Sequence, residues 1–294
     1  MPISKFIEYL QFERGYSKHT LLAYKKDLLL FRAFLQETYS ADTLSEVIYV
    51  QIRTWIVNLV NDGLSNRSIN RKISALKSFY KFLEKVGDID SNPLQGHHSL
   101  KTQKKTITPF SKKELERLDE LFFEAKGLEQ VRDHLIIELL YTTGMRRAEL
   151  VGLKLSDISF ENKIIKVLGK RNKERYIPLL EITIDFLHKY MALRNDFNSE
   201  YQELFLTNKG KPLYDSLVYK IVTKYFKQIT TKEKKSPHVL RHAFATHLLD
   251  EGADLNVVKE LLGHASLAST QIYTQSSLAH LKEVYKNFHP RNKK

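Results

Sequence analysis

Two segments in the second half of this chain place arginines at expected helix starts, and a helix start is a poor place for a cation. In Thr143-Gly144-Met145-Arg146-Arg147-Ala148-Glu149-Leu150, Gly144 breaks one helix and a new one is expected near Met145. Two arginines in its first turn oppose the positive end of the helix dipole. In Ser236-Pro237-His238-Val239-Leu240-Arg241, Ser at the N-cap and Pro at the first helical position announce another helix. His238 and Arg241 then project from one face at that end. An anion would resolve both conflicts, and helix N-termini already favour phosphate. Glu149, three residues after Arg146, is placed to hold one guanidinium; the plain alternative is a pair that only staples the helix. A third segment, Leu261-Leu262-Gly263-His264, reads as a helix end capped by Gly263, with His264 in a loop and Tyr273 nine residues on. The chemistry such a set suits is displacement at a phosphodiester. Negative charge gathers there on non-bridging oxygens, which planar guanidinium forks fit.

Other chemistries find little support. His238, His242 and His247 are spaced by four and five, but the His-Glu-x-x-His pattern is missing and the chain has no cysteine, so no metal is expected. There is no phosphate-binding P-loop and no cluster of carboxylates of the kind two-metal nucleases need. No cofactor is expected. Zero cysteines also remove disulfides and fit a reducing cytoplasm, the expected location. No run of eighteen apolar residues occurs, and the first eleven residues lack a signal peptide's apolar centre, so no membrane partner is expected.

The elements that must position these groups divide the 294 residues into two expected domains. Apolar residues make up 42% and charged residues 28%, a globular balance. The net charge is +13 and both parts share it: sixteen basic against ten acidic residues lie in 1–106, and thirty-one against twenty-four in the remainder. Two basic halves suit a polyanion gripped from both sides.

Residues 1–94 read as a helical domain. Leu21, Tyr24, Leu28, Phe31 and Leu35 form one apolar stripe after an N-cap at Ser17. A second helix is expected from about Ser65 to Glu84, burying Ile69, Ile73, Leu76, Tyr80 and Leu83. Its other side aligns Arg67, Arg71, Ser74, Ser78 and Lys81 without an acidic residue. Small serines between cations let a helix approach a phosphate backbone, so this stripe is expected to face DNA rather than water alone. Residues 95–106 have linker composition.

Residues 107–294 open with a capping box at Ser111 and Glu114. An apolar helix follows at Val131–Tyr141, then two short strands at 164–168 and 175–179 around a turn at Gly169–Lys173. Leu204–Leu206 is a candidate third strand. The expected class is mostly α with a small antiparallel sheet. Leu278, Leu281, Val284, Tyr285 and Phe288 complete an amphipathic helix over about 277–288, which from the sequence alone suits docking on the chain's own core as well as on a neighbour.

Taken together, these residues resemble the tyrosine recombinases of the phage-integrase family, and most of all the bacterial Xer group. The resemblance rests on Thr-Gly-x-Arg146, Lys170 in Gly-Lys-x-Asn-Lys, His238-x-x-Arg241, Leu-Gly-His264 and Tyr273, six positions in order over 128 residues. It extends to Glu13-Arg14-Gly15-Tyr16-Ser17, Tyr24, Asp27, Ser74-Ala75-Leu76 and the closing His289-Pro290-Arg291. The linker lacks a Pro-Lys pair common in the group, and Arg147 is a departure from it.

The resemblance implies a helical core-binding domain of four to five helices and a catalytic domain closing as a C-shaped clamp on DNA. Tyr273 would be the nucleophile, forming a 3′-phosphotyrosine without metal or ATP. Arg146 and Arg241 would hold the phosphate oxygens, His238 would take or relay the phenolic proton, and His264 would bond a phosphate oxygen. Lys170 would protonate the departing 5′ oxygen, with Lys173 as the other candidate, one shift of the loop away. A phenol with a pKa near 10 needs such help. The implied partners are double-stranded DNA with inverted-repeat half-sites, a homo- or hetero-tetramer on two sites that exchanges the last helix between protomers, and a DNA translocase as activator. The implied role is resolution of chromosome dimers at a dif-like site. A mobile-element integrase, a relaxing topoisomerase and a non-catalytic DNA-binding accessory factor share parts of this pattern. Only a strand transferase needs Arg146, Lys170, His238, Arg241 and Tyr273 together.

Overall fold

The computed structural model describes residues 2–41, 43–103, 107–169, 173–197, 199–263 and 275–292. The chain divides into two compact units, Met1–Lys105 and Thr106–Lys294, and each has its own core.

The first unit holds helices α1 (Pro2–Phe12), α2 (Lys18–Tyr39), α3 (Tyr49–Asn61) and α4 (Asn66–Lys85). Their starts follow local chemistry. The Ser17 and Ser65 hydroxyls accept from the backbone N–H of Thr20 and Ser68, each at 3.3 Å. The apolar stripes meet in an aromatic centre where Phe6 packs edge-on to Phe79 at 5.4 Å and Phe31 lies 4.8 Å from Trp55. Part of the segment with linker composition is fastened to this unit. Asn70 exchanges two 2.9 Å hydrogen bonds with the Leu100 backbone, and the Asn66 amide donates to the Lys101 carbonyl at 2.8 Å.

The second unit wraps α6 (Leu128–Thr143), which is buried on every side from Val131 to Thr143. Around it lie α5 (Lys112–Leu121), α7 (Arg147–Val151), α8 (Glu181–Asn195), α9 (Asp215–Ile229), α10 (Pro237–Asp250), α11 (Leu255–Leu262) and α12 (Gln275–Phe288). The capping box at Ser111 and Glu114 forms reciprocally, at 3.3 and 2.7 Å. Among the described residues, no helix is long and apolar enough to cross a membrane.

The sheet is antiparallel in the order β1 (Ile158–Ser159), β2 (Ile164–Leu168), β3 (Glu174–Pro178). Ile165 faces Ile177, and the Gly169 N–H donates to the Lys173 carbonyl at 2.7 Å to close the hairpin. The third strand is therefore Ile158–Ser159, and Leu204–Leu206 is not in the sheet. That segment makes one isolated bridge, Leu206 to Pro212. All three of its residues are buried, and side chains serve its backbone: Arg194 donates to the Leu204 carbonyl at 3.0 Å and the Leu206 N–H donates to Tyr190 Oη at 3.0 Å. A hairpin strand needs neither.

Candidate active site

The two arginine segments come together at the C-terminal end of α11. Gly144 closes α6 with φ +59, and a Cβ there would lie 2.3 Å from the Phe244 ring and 2.9 Å from Leu262. Only glycine allows this turn, which hands the chain directly to Arg146. Arg146 stands at the N-cap of α7 rather than inside its first turn, because α7 starts at Arg147, two residues later than the sequence pattern suggests. There the Glu149 carboxylate accepts the Arg146 backbone N–H at 2.6 Å and its Nη1 at 2.8 Å.

Arg241 arrives from α10, whose first residue is Pro237 as expected, although the Ser236 side chain makes no capping bond. Its Nη1 donates to the Gly144 carbonyl at 2.5 Å and its Nη2 to the Leu262 carbonyl at 2.6 Å. Arg146 Nη2 reaches the next carbonyl, Gly263, at 3.5 Å. Gly263 is the αL cap of α11, as its position in the sequence implies.

A third guanidinium, missed in the sequence, completes the cluster. Arg175 on β3 donates to both oxygens of Glu149 at 2.9 Å and to the Leu261 carbonyl at 2.9 Å. The available signal was phase: Arg175 is two residues before Ile177, on the inward face of the strand where an apolar residue belongs.

Two guanidinium groups, those of Arg146 and Arg175, thus share one carboxylate, while Arg241 beside them bonds only carbonyls. Burial alone would raise the Glu149 carboxyl, but bonds and charge from Arg175, then Arg146, bring it below the usual carboxylate range. Arg241 is pushed down to about 10, first by burial and then by the charge of Arg146, and it stays protonated near neutral pH. Both Arg241 partners are neutral carbonyls, so the site keeps excess positive charge where a phosphate would sit.

His238 is exposed one turn from Arg241, beside a cavity of about 330 Å³ that Arg147, Lys234, Lys235 and Tyr219 line together with Glu233. Arg147, the departure noted in the sequence, also ties α7 to α9 through Asp215 at 3.0 Å. Lys173 is exposed at the base of the hairpin turn. Lys170, His264 and Tyr273 lie outside the described residues.

On α4, Arg67, Arg71, Ser74 and Lys81 are exposed and Ser78 is half-buried. Arg71 is not a free cation: its guanidinium forks onto Asp27, which is 1% exposed and also takes Lys72 Nζ at 2.9 Å. Ser74 donates back to the Asn70 carbonyl at 2.8 Å.

Asp119, His134 and Glu138 bring ligand-type atoms within 4.8 Å of one another. Arg291 already occupies that place, donating to Asp119 at 2.8 Å and pairing with Glu138 at 3.0 Å, so a guanidinium supplies the positive charge a metal would bring. This closing segment sits with α12, whose Leu281 and Tyr285 are buried in the unit's own core. The Tyr285 hydroxyl donates to the Thr142 carbonyl at 2.6 Å.

Comparison with known proteins identifies the family. Residues 121–280 match the phage integrase family, and residues 3–87 match the phage integrase N-terminal SAM-like domain. Tyrosine recombinase XerC of Oceanobacillus iheyensis is 40% identical over 98% of this chain and 96% of its own length. Tyrosine recombinase XerC of Chlorobaculum parvum is 35% identical over 98% and 94%. Among solved structures, the XerH site-specific recombinase bound to difH substrate in a pre-cleavage complex is 26% identical, with a TM-score of 0.70 over 95% of this chain and 83% of that one. The transposon Tn1549 integrase with right-end DNA shares the fold at a TM-score of 0.71 and 23% identity, over 96% of this chain and 99% of that one. The arginine pair held at the end of α11, and sequence matches that reach from one end of the chain almost to the other, place this protein in the phage integrase family as a site-specific tyrosine recombinase.

Proposed function

We propose that this chain resolves chromosome dimers in the cytoplasm by recombining two copies of a dif-like site with inverted-repeat half-sites. The observation that carries the chemistry is the gathering of three guanidinium groups around a single carboxylate: Glu149 is divided between Arg146 and Arg175, and Arg241 bonds only neutral carbonyls, which leaves Arg146 and Arg241 short of negative charge. A scissile phosphate supplies that charge, and its non-bridging oxygens gain more of it at five-coordinate phosphorus. Both forks are already oriented by protein atoms, so little reorganisation is left for the reaction.

In this reading the Tyr273 hydroxyl attacks phosphorus and loses its proton toward His238. Lys170 protonates the departing 5′ oxygen, with Lys173 as its substitute, and His264 bonds a phosphate oxygen. The 3′-phosphotyrosine keeps the diester's energy, so a 5′ hydroxyl from the second strand reverses the step without ATP. A homo- or hetero-tetramer on two sites and a translocase that activates it belong to the same proposal. An α12 lent to a neighbour belongs to it too, and requires that helix to leave the core of its own unit, where Leu281 and Tyr285 are buried. The full-length likeness to XerC proteins and the likeness to a recombinase on difH support the Xer-type role over a mobile-element integrase.

The test is a nicked suicide duplex bearing a dif-type site. The parent chain should form a covalent adduct mapping to Tyr273, and Tyr273→Phe should bind and pair the same duplex without forming one. An adduct that persists in Tyr273→Phe removes the nucleophile assignment.

A further inference from the structure

Arg175 touches neighbours of three site residues while every one of its nitrogens is engaged inside the protein. Its Nε is spent on the Leu261 carbonyl and its two terminal nitrogens on Glu149, and its side chain is 6% exposed. Building on the tyrosine recombinase reading, we propose that Arg175 is a positioning residue for strand cleavage, holding the Arg146 turn, the hairpin that leads to Lys170 and the end of α11 that leads to His264 in one frame.

The link to Arg146 runs through Glu149. Each carboxylate oxygen takes one bond from Arg175 and one from Arg146, so the plane that Arg175 imposes on the carboxylate is the plane Arg146 meets. The link to α11 is the bond to Leu261 together with a close fit at Gly263. A Cβ there would come 3.1 Å from Arg175 Cδ and 3.2 Å from its Nε and Nη1. The link to the hairpin is Gly169, where a Cβ would lie 3.7 Å from both Arg175 Nη1 and Glu149 Oε1. Lys170 follows Gly169 in the chain and His264 follows Gly263. A planar fork with a third N–H behind it can serve a carboxylate and a carbonyl at once, whereas an ammonium acts as a single point.

The experiment uses the full-length chain with Arg175→Lys and Arg175→Met on the same nicked duplex. Single-turnover adduct formation at saturating protein should fall on the order of 100-fold in Arg175→Met, with part of the loss recovered in Arg175→Lys. Affinity for uncut duplex should stay within about threefold of the parent. The acid limb of the cleavage-rate profile should also move to higher pH, because Glu149 loses the partner that most lowers its carboxyl. A purely structural role predicts no such move. Arg175→Lys keeps the charge and serves as the folded variant if Arg175→Met does not fold. Cleavage within about threefold of the parent in Arg175→Lys with an unmoved acid limb overturns the proposal, and so does an equal loss of rate and affinity. If the parent chain itself forms no adduct, the recombinase reading fails first and carries this inference with it.

Discussion

Arg146 and Arg241 reach the consecutive carbonyls that end α11: Arg241 Nη2 donates to Leu262 at 2.6 Å and Arg146 Nη2 approaches Gly263 at 3.5 Å. Residues 95 positions apart thus take their orientation from one piece of backbone. Because each fork is pre-set, losing either should damage the transition state more than the ground state. Arg146→Lys and Arg241→Lys should each slow adduct formation on the order of 10²- to 10³-fold, with duplex affinity little changed. Single-turnover cleavage beside a gel-shift titration checks this; a parallel loss of affinity would reassign the two arginines to ground-state binding.

The α4 stripe makes a graded prediction. Each exposed cation that contacts a phosphate should contribute roughly 0.9 to the slope of log affinity against log salt. Arg67→Ala should remove about that much. Arg71→Ala should weaken binding further, since it also uncovers part of the Asp27 charge that the guanidinium masks. Binding isotherms between about 50 and 200 mM salt test it, and unchanged slopes in both variants would mean the stripe faces water.

Gly144 carries both a positive φ and a crowded neighbourhood. Gly144→Ala places a Cβ against Phe244 and Leu262 in a conformation L residues avoid. The strain and overpacking together should cost about 2–5 kcal/mol of stability. Urea unfolding would show a lowered midpoint, and a midpoint equal to the parent's would place the turn elsewhere.

His289 makes the second unit sensitive to acid. It is fully buried, and burial followed by the Arg291 charge lowers its pKa to about 3. The unfolded chain takes up a proton near pH 6.5 that the folded chain refuses, so stability rises with pH across this range. Between about pH 6 and 4 this one residue should remove roughly 1.4 kcal/mol per pH unit on acidification. His289→Asn, which keeps an acceptor for the Arg291 N–H, should flatten that part of a stability-against-pH curve. An unaltered slope would show that other groups carry it.

Much was legible before any coordinates because local chemistry writes it. Ser17, Ser65, Ser111 with Glu114, Pro237, Gly144 and Gly263 each mark a helix end through a bond, a ring or a φ that depends only on near neighbours. Glu149 was readable as the partner of Arg146 because three residues along a helix start are one contact apart. The third strand was misread because three buried residues in a row look alike in a strand and in a pinned loop. Arg194 and Tyr190, which pin Leu204–Leu206, lie some ten to sixteen residues away from their targets.

The amino-acid order by itself determined several helix ends, the basic balance of both units and which side chains suit a phosphate. Those depend on propensities and spacings that act within a few residues. Only the tertiary structure decided that Arg175 shares Glu149 with Arg146, that Arg71 is anchored on buried Asp27, and that Arg291 fills the gap between Asp119 and Glu138. In each case a buried carboxylate must find a cation or pay for its lost water, and the partner it finds is set by how helices and strands pack, not by distance along the chain.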